Sequence, residues 1–174
     1  GSEAAILVEA CLHGSEISIL GVSDGNAIKL LHTSQDHKQL EDGDRGPNTG
    51  GMGAFCPVPH VDDALLGAIE DRIVAPTLAG LKAEQLPYCG VIYFGLMITT
   101  EGPQLLEYNV RLGDPETEVV LPALASSLAE LIDDCVHGRL AQHELRFEQG
   151  YFVDVVLASG GYPGSYAKGK LISG

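Results

Sequence analysis

The stretch LLEYNVRLGDPE, residues 105–116, places four charged side chains and an amide within ten positions. In an extended strand side chains alternate, so Glu107, Asn109 and Arg111 share one face while Leu106, Tyr108 and Val110 share the other. A carboxylate and an amide carbonyl are hard oxygen donors suited to Mg²⁺. A guanidinium two residues further on can hold a phosphate or carboxylate. Polar-out alternation is also what an ordinary solvent-facing strand shows. The following GDPE adds Asp114 and Glu116 in a tight loop, where no packing reason demands two acids.

Two further stretches could do chemistry. In VEACLHGSEIS, residues 8–18, Glu9 closes one strand and Glu16 opens the next after a turn at Gly14. Such a hinge can offer backbone groups to an adenine and a carboxylate to ribose hydroxyls; read in isolation, a plain hairpin with two exposed acids is the better reading. In SQDHKQLEDGDRGPNTGGMG, residues 34–53, the last twelve positions hold five glycines. A flexible linker would be rich in Gly and Ser without fixed punctuation, whereas Pro47, Asn48 and Met52 interrupt this run. Glycines admit positive φ and close backbone approach, so successive N–H groups here can converge on an anion. The stretch matches neither of the common Gly-rich nucleotide fingerprints. His37 reads as a structural hydrogen-bonder.

The elements that must position these groups follow from periodicity. Strands are expected at 4–12, 16–22 and 27–33, the last two joined by a hairpin turn at Asp24-Gly25. Apolar residues recur at 61, 65, 69, 73 and at 66, 74, 78, 81, which predicts a helix over 61–85 that Pro76 kinks or splits. GVIYFGLMITT and QLLEYNV form a strand pair across Glu101-Gly102-Pro103. A helix carries Leu124, Leu128, Leu131 and Cys135 to Gly138, with a Ser127/Glu130 capping box that divides its start, and YFVDVVLAS, residues 151–159, is a last strand. Strands joined mostly by hairpins, with two helical segments, make an α+β domain with a largely antiparallel sheet.

Composition narrows the function. A chain of 174 residues with 45% hydrophobic content can pack one domain and carry a small second unit. A net charge of −14 argues against nucleic acid and anionic membrane partners. Cys11, Cys56, Cys89 and Cys135 are far apart, which reads as reduced, mostly buried thiols of a cytoplasmic protein. GSEAA at the start and KLISG at the end read as cut points in something longer.

QDHKQLEDGDRGPNTGGMGAFCPVP, EYNVRLGDPET and GGYPGSY together resemble the phosphoribosylamine–glycine ligase (glycinamide ribonucleotide synthetase) family of the ATP-grasp superfamily. The resemblance runs from VEACLHGSEIS to GGYPGSYAKGK, and the long first motif is far more specific than EYN, which marks ATP-grasp enzymes broadly. It implies a ligase of purine biosynthesis that joins glycine to 5-phosphoribosylamine with ATP and Mg²⁺ or Mn²⁺, through glycyl phosphate. Glu107 and Asn109 then stand as metal ligands, Arg111 faces the transferred phosphate, and Asp114 orients glycine. Glu9, Cys11, Leu12 and Glu16 stand as adenine and ribose contacts. Asp36 and Lys38, with Asn48, Gly50, Gly51 and Met52 of the Gly-rich loop, wall the amine and glycine pocket. Many ATP-grasp enzymes carry another metal-binding acid on the strand before EYN, where this chain has Gly95. The resemblance also implies that residues 1–148 are the later half of an ATP-grasp core and 149–174 the first strands of a carboxy-terminal domain. The amino-terminal domain and the phosphate-gripping lysine of the lid would precede Gly1, so the chain alone is expected to be inactive. Its rivals are another carboxylate–amine ligase of the superfamily and a non-catalytic folding or partner-contact module.

Overall fold

The computed structural model describes residues 6–173. Eight strands form: β1 (Ser15–Ser23), β2 (Ile28–Asp36), β3 (Gln39–Glu41), β4 (Arg45–Asn48), β5 (Gly53–Cys56), β6 (Gly90–Thr99), β7 (Gly102–Asn109) and β8 (Phe152–Val155). Six of them make one sheet in the order β7-β6-β1-β2-β5-β8, every neighbouring pair antiparallel, while β3 and β4 make a separate hairpin. The β1–β2 turn closes because Gly25 sits at φ +83° and the Asp24 carboxylate accepts from the Asn26 and Ala27 amides, each at 2.8 Å.

β1 shows how the sheet divides the molecule. Ile17 and Ile19 face one side with Phe94 and Leu96 of β6, all fully buried. Helix α1 (Asp63–Ile69), a π-helical turn (Glu70–Val74) and helix α2 (Ala75–Ala83) cover that side through Ile69, Ile73 and Val74. Leu20 and Val22 face the other side, under helices α3 (Thr117–Val120) and α4 (Leu128–Val136), through Val119, Val120, Leu131 and Cys135. Alternation along one strand thus feeds two cores.

Pro76 acts as expected, at the start of α2. Unable to donate to the helix ladder, it follows a π turn in which the Ala75 amide reaches back to the Glu70 carbonyl. The second helical segment is also divided: Leu124 forms a bridge to Phe147, and α4 starts at Leu128, where Ser127 Oγ accepts from the Glu130 amide at 3.3 Å.

Two strand expectations need correction. Residues 6–14 form no strand, and Ile6, Leu7 and Val8 are 80–87% exposed; residues 4 and 5 lie outside the described region. Apolar composition alone does not make a strand, and none of the described strands runs beside this segment to accept its backbone bonds. The last strand is shorter than expected, Phe152–Val155, because it pairs only with the four residues of β5. Phe152 packs on the core while Val153 and Val155 point outward.

Candidate functional site

Glu16, Asp36, Lys38, Glu107 and Asn109, singled out in the sequence, meet on the α3–α4 side of the sheet, beyond the edge of its apolar core. Glu16 and Ser18 share a face of β1 with Leu20 and Val22. Across the sheet Ser18 pairs with Gly95, and Gly95 pairs with Glu107. Next to Glu107 on the same face, Asn109 donates from Nδ2 to Glu107 Oε1 at 3.0 Å. The expected alternation therefore holds for the pair. Just before the pair the strand carries a bulge: Gly95 opposes Glu107 but Leu96 opposes Leu105, so Leu106 is an extra residue. The bulge lets both Leu105 and Tyr108 pack on the opposite core, Tyr108 edge-on to Phe94 at 5.7 Å between ring centroids.

Gly95 has a spatial reason. A Cβ there would lie 3.1 Å from Glu107 Cγ, so the glycine leaves room for the carboxylate that stands opposite it.

Beyond Asn109 the strand ends, which corrects the placement of Arg111 on it. Arg111 is exposed, and its guanidinium donates to the Leu112 carbonyl at 2.9 Å. Val110 is 72% exposed, so the set that the core was expected to take is only partly buried on this edge strand. Asp114 is exposed in the following loop.

Lys38 sits at the centre of the charged groups. Its ammonium donates to Glu16 Oε1, joining the candidate ribose contact to the candidate substrate wall. Burial works against its charge, but the bond to Glu16 and the negative charges of Asp36, Glu16 and Glu107 outweigh it and hold Lys38 above its ordinary value. Burial lifts the Asp36 carboxyl above its ordinary value; Lys38 opposes the rise, while Glu116 and Glu16 add to it. These mutual influences gather Glu16, Asp36, Lys38, Glu107 and Glu116 into one field.

Glu116 was singled out only as a loop acid; it is a buried anchor, 3% exposed. The hydroxyls of Ser18 and Tyr93 lie 2.6 Å apart, and both reach Glu116 Oε1, at 3.1 and 2.8 Å. Burial pushes the Tyr93 phenol far above its ordinary range. Gly113 has no side chain because a Cβ would collide with the Glu116 carboxylate. Ser18 and Tyr93 were missed, and the signal was there: Ser18 lies two residues from Glu16 and so shares its face.

The Gly-rich stretch is shaped, but not as an anion cradle. The Thr49 amide donates to the Lys38 carbonyl at 2.7 Å, Gly50 to the Tyr162 hydroxyl at 3.0 Å, Gly51 to Thr49 Oγ1 at 3.0 Å and Met52 to the His37 carbonyl at 2.8 Å. Those four N–H groups are committed within the chain. The glycines serve close approach instead: at Gly51 (φ +125°) a Cβ would strike the Pro115 ring, and at Gly53 (φ +148°) the Asp154 carbonyl. Gly51 is buried, Met52 half-buried, and Asn48 and Gly50 exposed. The loop thereby presses the GDPE segment on one side and β8 on the other.

Glu9 and Cys11 are exposed and Leu12 half-buried in the irregular segment before β1. Gly14 lets that segment cross the end of β6, since a Cβ would meet the Ile98 carbonyl. An apolar cavity of about 500 Å³ lies under Thr77, Leu81, Tyr88, Ile92 and Tyr108, on the α2 side of the sheet, away from this cluster.

Glu107 and Asn109 fit a divalent cation that keeps waters and takes further oxygens from a phosphate. Among the described residues no group of three or more His, Cys, Asp or Glu could hold a metal by itself. None of their helices is long and apolar enough to cross a membrane.

An antiparallel sheet with this Glu-x-Asn pair over a Lys–Glu pair has the architecture of an ATP-grasp domain. Comparison with known proteins gives the family. Residues 1–117 match the model for the phosphoribosylglycinamide synthetase, ATP-grasp (A) domain, and the chain belongs to that family. It is 47% identical over 174 residues to the phosphoribosylamine–glycine ligase of Clostridium acetobutylicum, covering 100% of this chain and 42% of that protein. It is 46% identical over 168 residues to a bifunctional purine biosynthetic protein of Schizosaccharomyces pombe, covering 97% of this chain and 21% of that one. The crystal structure of the phosphoribosylamine–glycine ligase of Thermotoga maritima superposes with a TM-score of 0.76 at 41% identity, over 91% of this chain and 40% of that chain. This chain spans less than half the length of these relatives.

Proposed function

We propose that this chain supplies the metal-binding and substrate-facing half of a cytoplasmic ligase that joins glycine to 5-phosphoribosylamine as ATP is split to ADP and phosphate, through glycyl phosphate. The observation that carries the reading is the single polar face on which Glu107 and Asn109 stand beside the Glu16–Lys38 pair and Asp36. Glu107 and Asn109 would hold Mg²⁺ or Mn²⁺, which when bound neutralises phosphate charge and aligns the transferred group. Lys38, held cationic by its acidic neighbours, would attract the carboxylate of glycine or the phosphate of the amine; Asp36 would set the polarity of that pocket. Glu16 would take the ribose hydroxyls, exchanging part of its bond to Lys38 for them. Glu9, Cys11 and Leu12 would border the adenine, Arg111 would turn from the Leu112 carbonyl to the transferred phosphate, and Asp114 would orient glycine. Asn48, Gly50, Gly51 and Met52 would shape the pocket by holding the GDPE loop in place rather than by donating to an anion. A boundary after residue 148 is part of this proposal, with β8 entering as the sixth strand of the sheet.

The test is a chimera in which residues 1–174 replace the matching segment of the Clostridium relative. Phosphate release dependent on both glycine and phosphoribosylamine is expected, and Glu107→Gln or Lys38→Met should each lower it on the order of a hundredfold. A folded chimera that is inactive, or one indifferent to both substitutions, contradicts the reading. The 174-residue chain by itself should show no turnover, because Glu107 stands on an open face where transition-state charge is left to water.

A further inference from the structure

At the end of the sheet away from Glu16 and Glu107, two cysteines that are 46 residues apart in sequence come together. The Sγ atoms of Cys89, just before β6, and Cys135, in the last turn of α4, lie 3.5 Å apart. Cys89 is exposed and Cys135 buried. Cys135 Sγ donates to the Ser23 carbonyl at 3.1 Å, where β1 ends opposite Gly90. A disulfide needs the sulfurs to close to about 2.0 Å, a movement of roughly 1.5 Å within reach of side-chain rotation.

We propose that Cys89 and Cys135 are a reversible oxidation site, in which a low-molecular-weight disulfide such as oxidised glutathione bridges the start of β6 to the end of α4. The exposed Cys89 thiolate attacks one sulfur of the reagent, forming a mixed disulfide and releasing one glutathione thiolate. Cys135 then loses its proton to solvent and attacks Cys89 Sγ, expelling the second glutathione. Two protein thiols become one disulfide, and one oxidised glutathione becomes two reduced ones. The order of attack follows from access. It agrees with the state of Cys135, whose thiol is pushed up to about 11 by burial and then by its neighbour Cys89, so it serves as the resolving group. Cys56, buried and pushed up to about 12, stays out of the exchange. The bridge costs the Ser23 carbonyl its S–H donor but leaves the pairing of Gly95 with Glu107, five residues further along β6 than Gly90, in place.

The experiment treats the 174-residue chain with excess oxidised glutathione, removes the reagent, and maps non-reduced peptides by mass spectrometry. Beyond any glutathione carried by the exposed Cys11, two thiols should be lost as a Cys89–Cys135 peptide pair about 2 Da lighter than the two reduced peptides, and dithiothreitol should reverse this. Because the bridge closes a long loop, the oxidised form should melt at least about 5 °C higher. Cys89→Ser should abolish the bridge, and Cys11→Ser, which alters the other exposed thiol, should not. A stable glutathione adduct on Cys89, a bridge to Cys11, or retention of all four thiols would each overturn the proposal.

Discussion

The two faces of the sheet are built from the same strands and do opposite work. On the α2 side Ile17, Ile19, Phe94 and Leu96 are fully buried against the α1–α2 segment. On the α3 side the residues between them, Ser18 and Gly95, lead out of the apolar core into a field of four carboxylates and one lysine. One face carries apolar side chains that pack under the helices; the other leaves glycines where side chains would crowd the acids. The lesson is that the β1, β6 and β7 periodicity encodes stability and site at once, and single substitutions should separate them.

The largest effect should come from the filled face. Phe94→Ala removes a fully buried ring that also meets Tyr108 edge-on, and should cost about 3–5 kcal/mol in urea unfolding. A loss below about 1 kcal/mol would mean that this core is not packed as described. Gly51→Val should cost roughly 2–4 kcal/mol, since it forces a branched residue to φ +125° and against Pro115. Gly50→Val should cost less than about 1 kcal/mol, because only the Tyr162 hydroxyl lies near. Equal costs at the two glycines would return the loop to linker status.

Smaller effects probe the polar face. Tyr93→Phe leaves Glu116 Oε1 with the Ser18 hydroxyl alone, and should cost about 1–2 kcal/mol. A cost near zero would show that Glu116 finds another donor. The pH dependence has a definite sign. Asp36 titrates above its ordinary 3.8 in the folded chain, so the folded state binds its proton more readily than the unfolded state. Its contribution is fully present below 3.8 and is lost as pH rises through the raised value, so Asp36→Asn should stabilise the protein at neutral pH. Lys38, raised above 10.5, contributes stability at neutral pH that is lost only as pH climbs through its folded value; Lys38→Met should lower stability at pH 7 and flatten that alkaline loss. Unfolding midpoints against pH for the two variants check both signs.

How much of this was legible beforehand depended on the range of the interaction. β1, β2, β6 and β7, the helix around Pro76 and the Ser127 cap are set by local periodicity and turn chemistry, and the sequence predicts them within a few residues. The Glu107/Asn109 pair was readable because alternation is local. The bulge at Leu106 and the burial of Glu116 under Ser18 and Tyr93 were not, since both depend on which strands become neighbours. Gly51 and Gly53 looked like anion-binding glycines because composition shows what a glycine permits; only the packed Pro115 and Asp154 show what it is used for. Ile6–Val8 failed as a strand for the same reason, since pairing is a property of neighbours.

The central claim, that the cation and nucleotide meet on the polar face at Glu107 and Asn109, is tested most directly by paramagnetic broadening of amide resonances with Mn²⁺. With ATP present, trace Mn²⁺ should broaden the amides of Glu107 and Asn109 first, then those of Gly95 and Tyr93 opposite them, and far less without nucleotide. Glu107→Gln should abolish that pattern while shifting unfolding stability by no more than about 0.5 kcal/mol, because the side chain is exposed. Broadening centred on the Asp133–Asp134 cluster of α4, or a pattern at β7 that survives Glu107→Gln unchanged, would contradict the account.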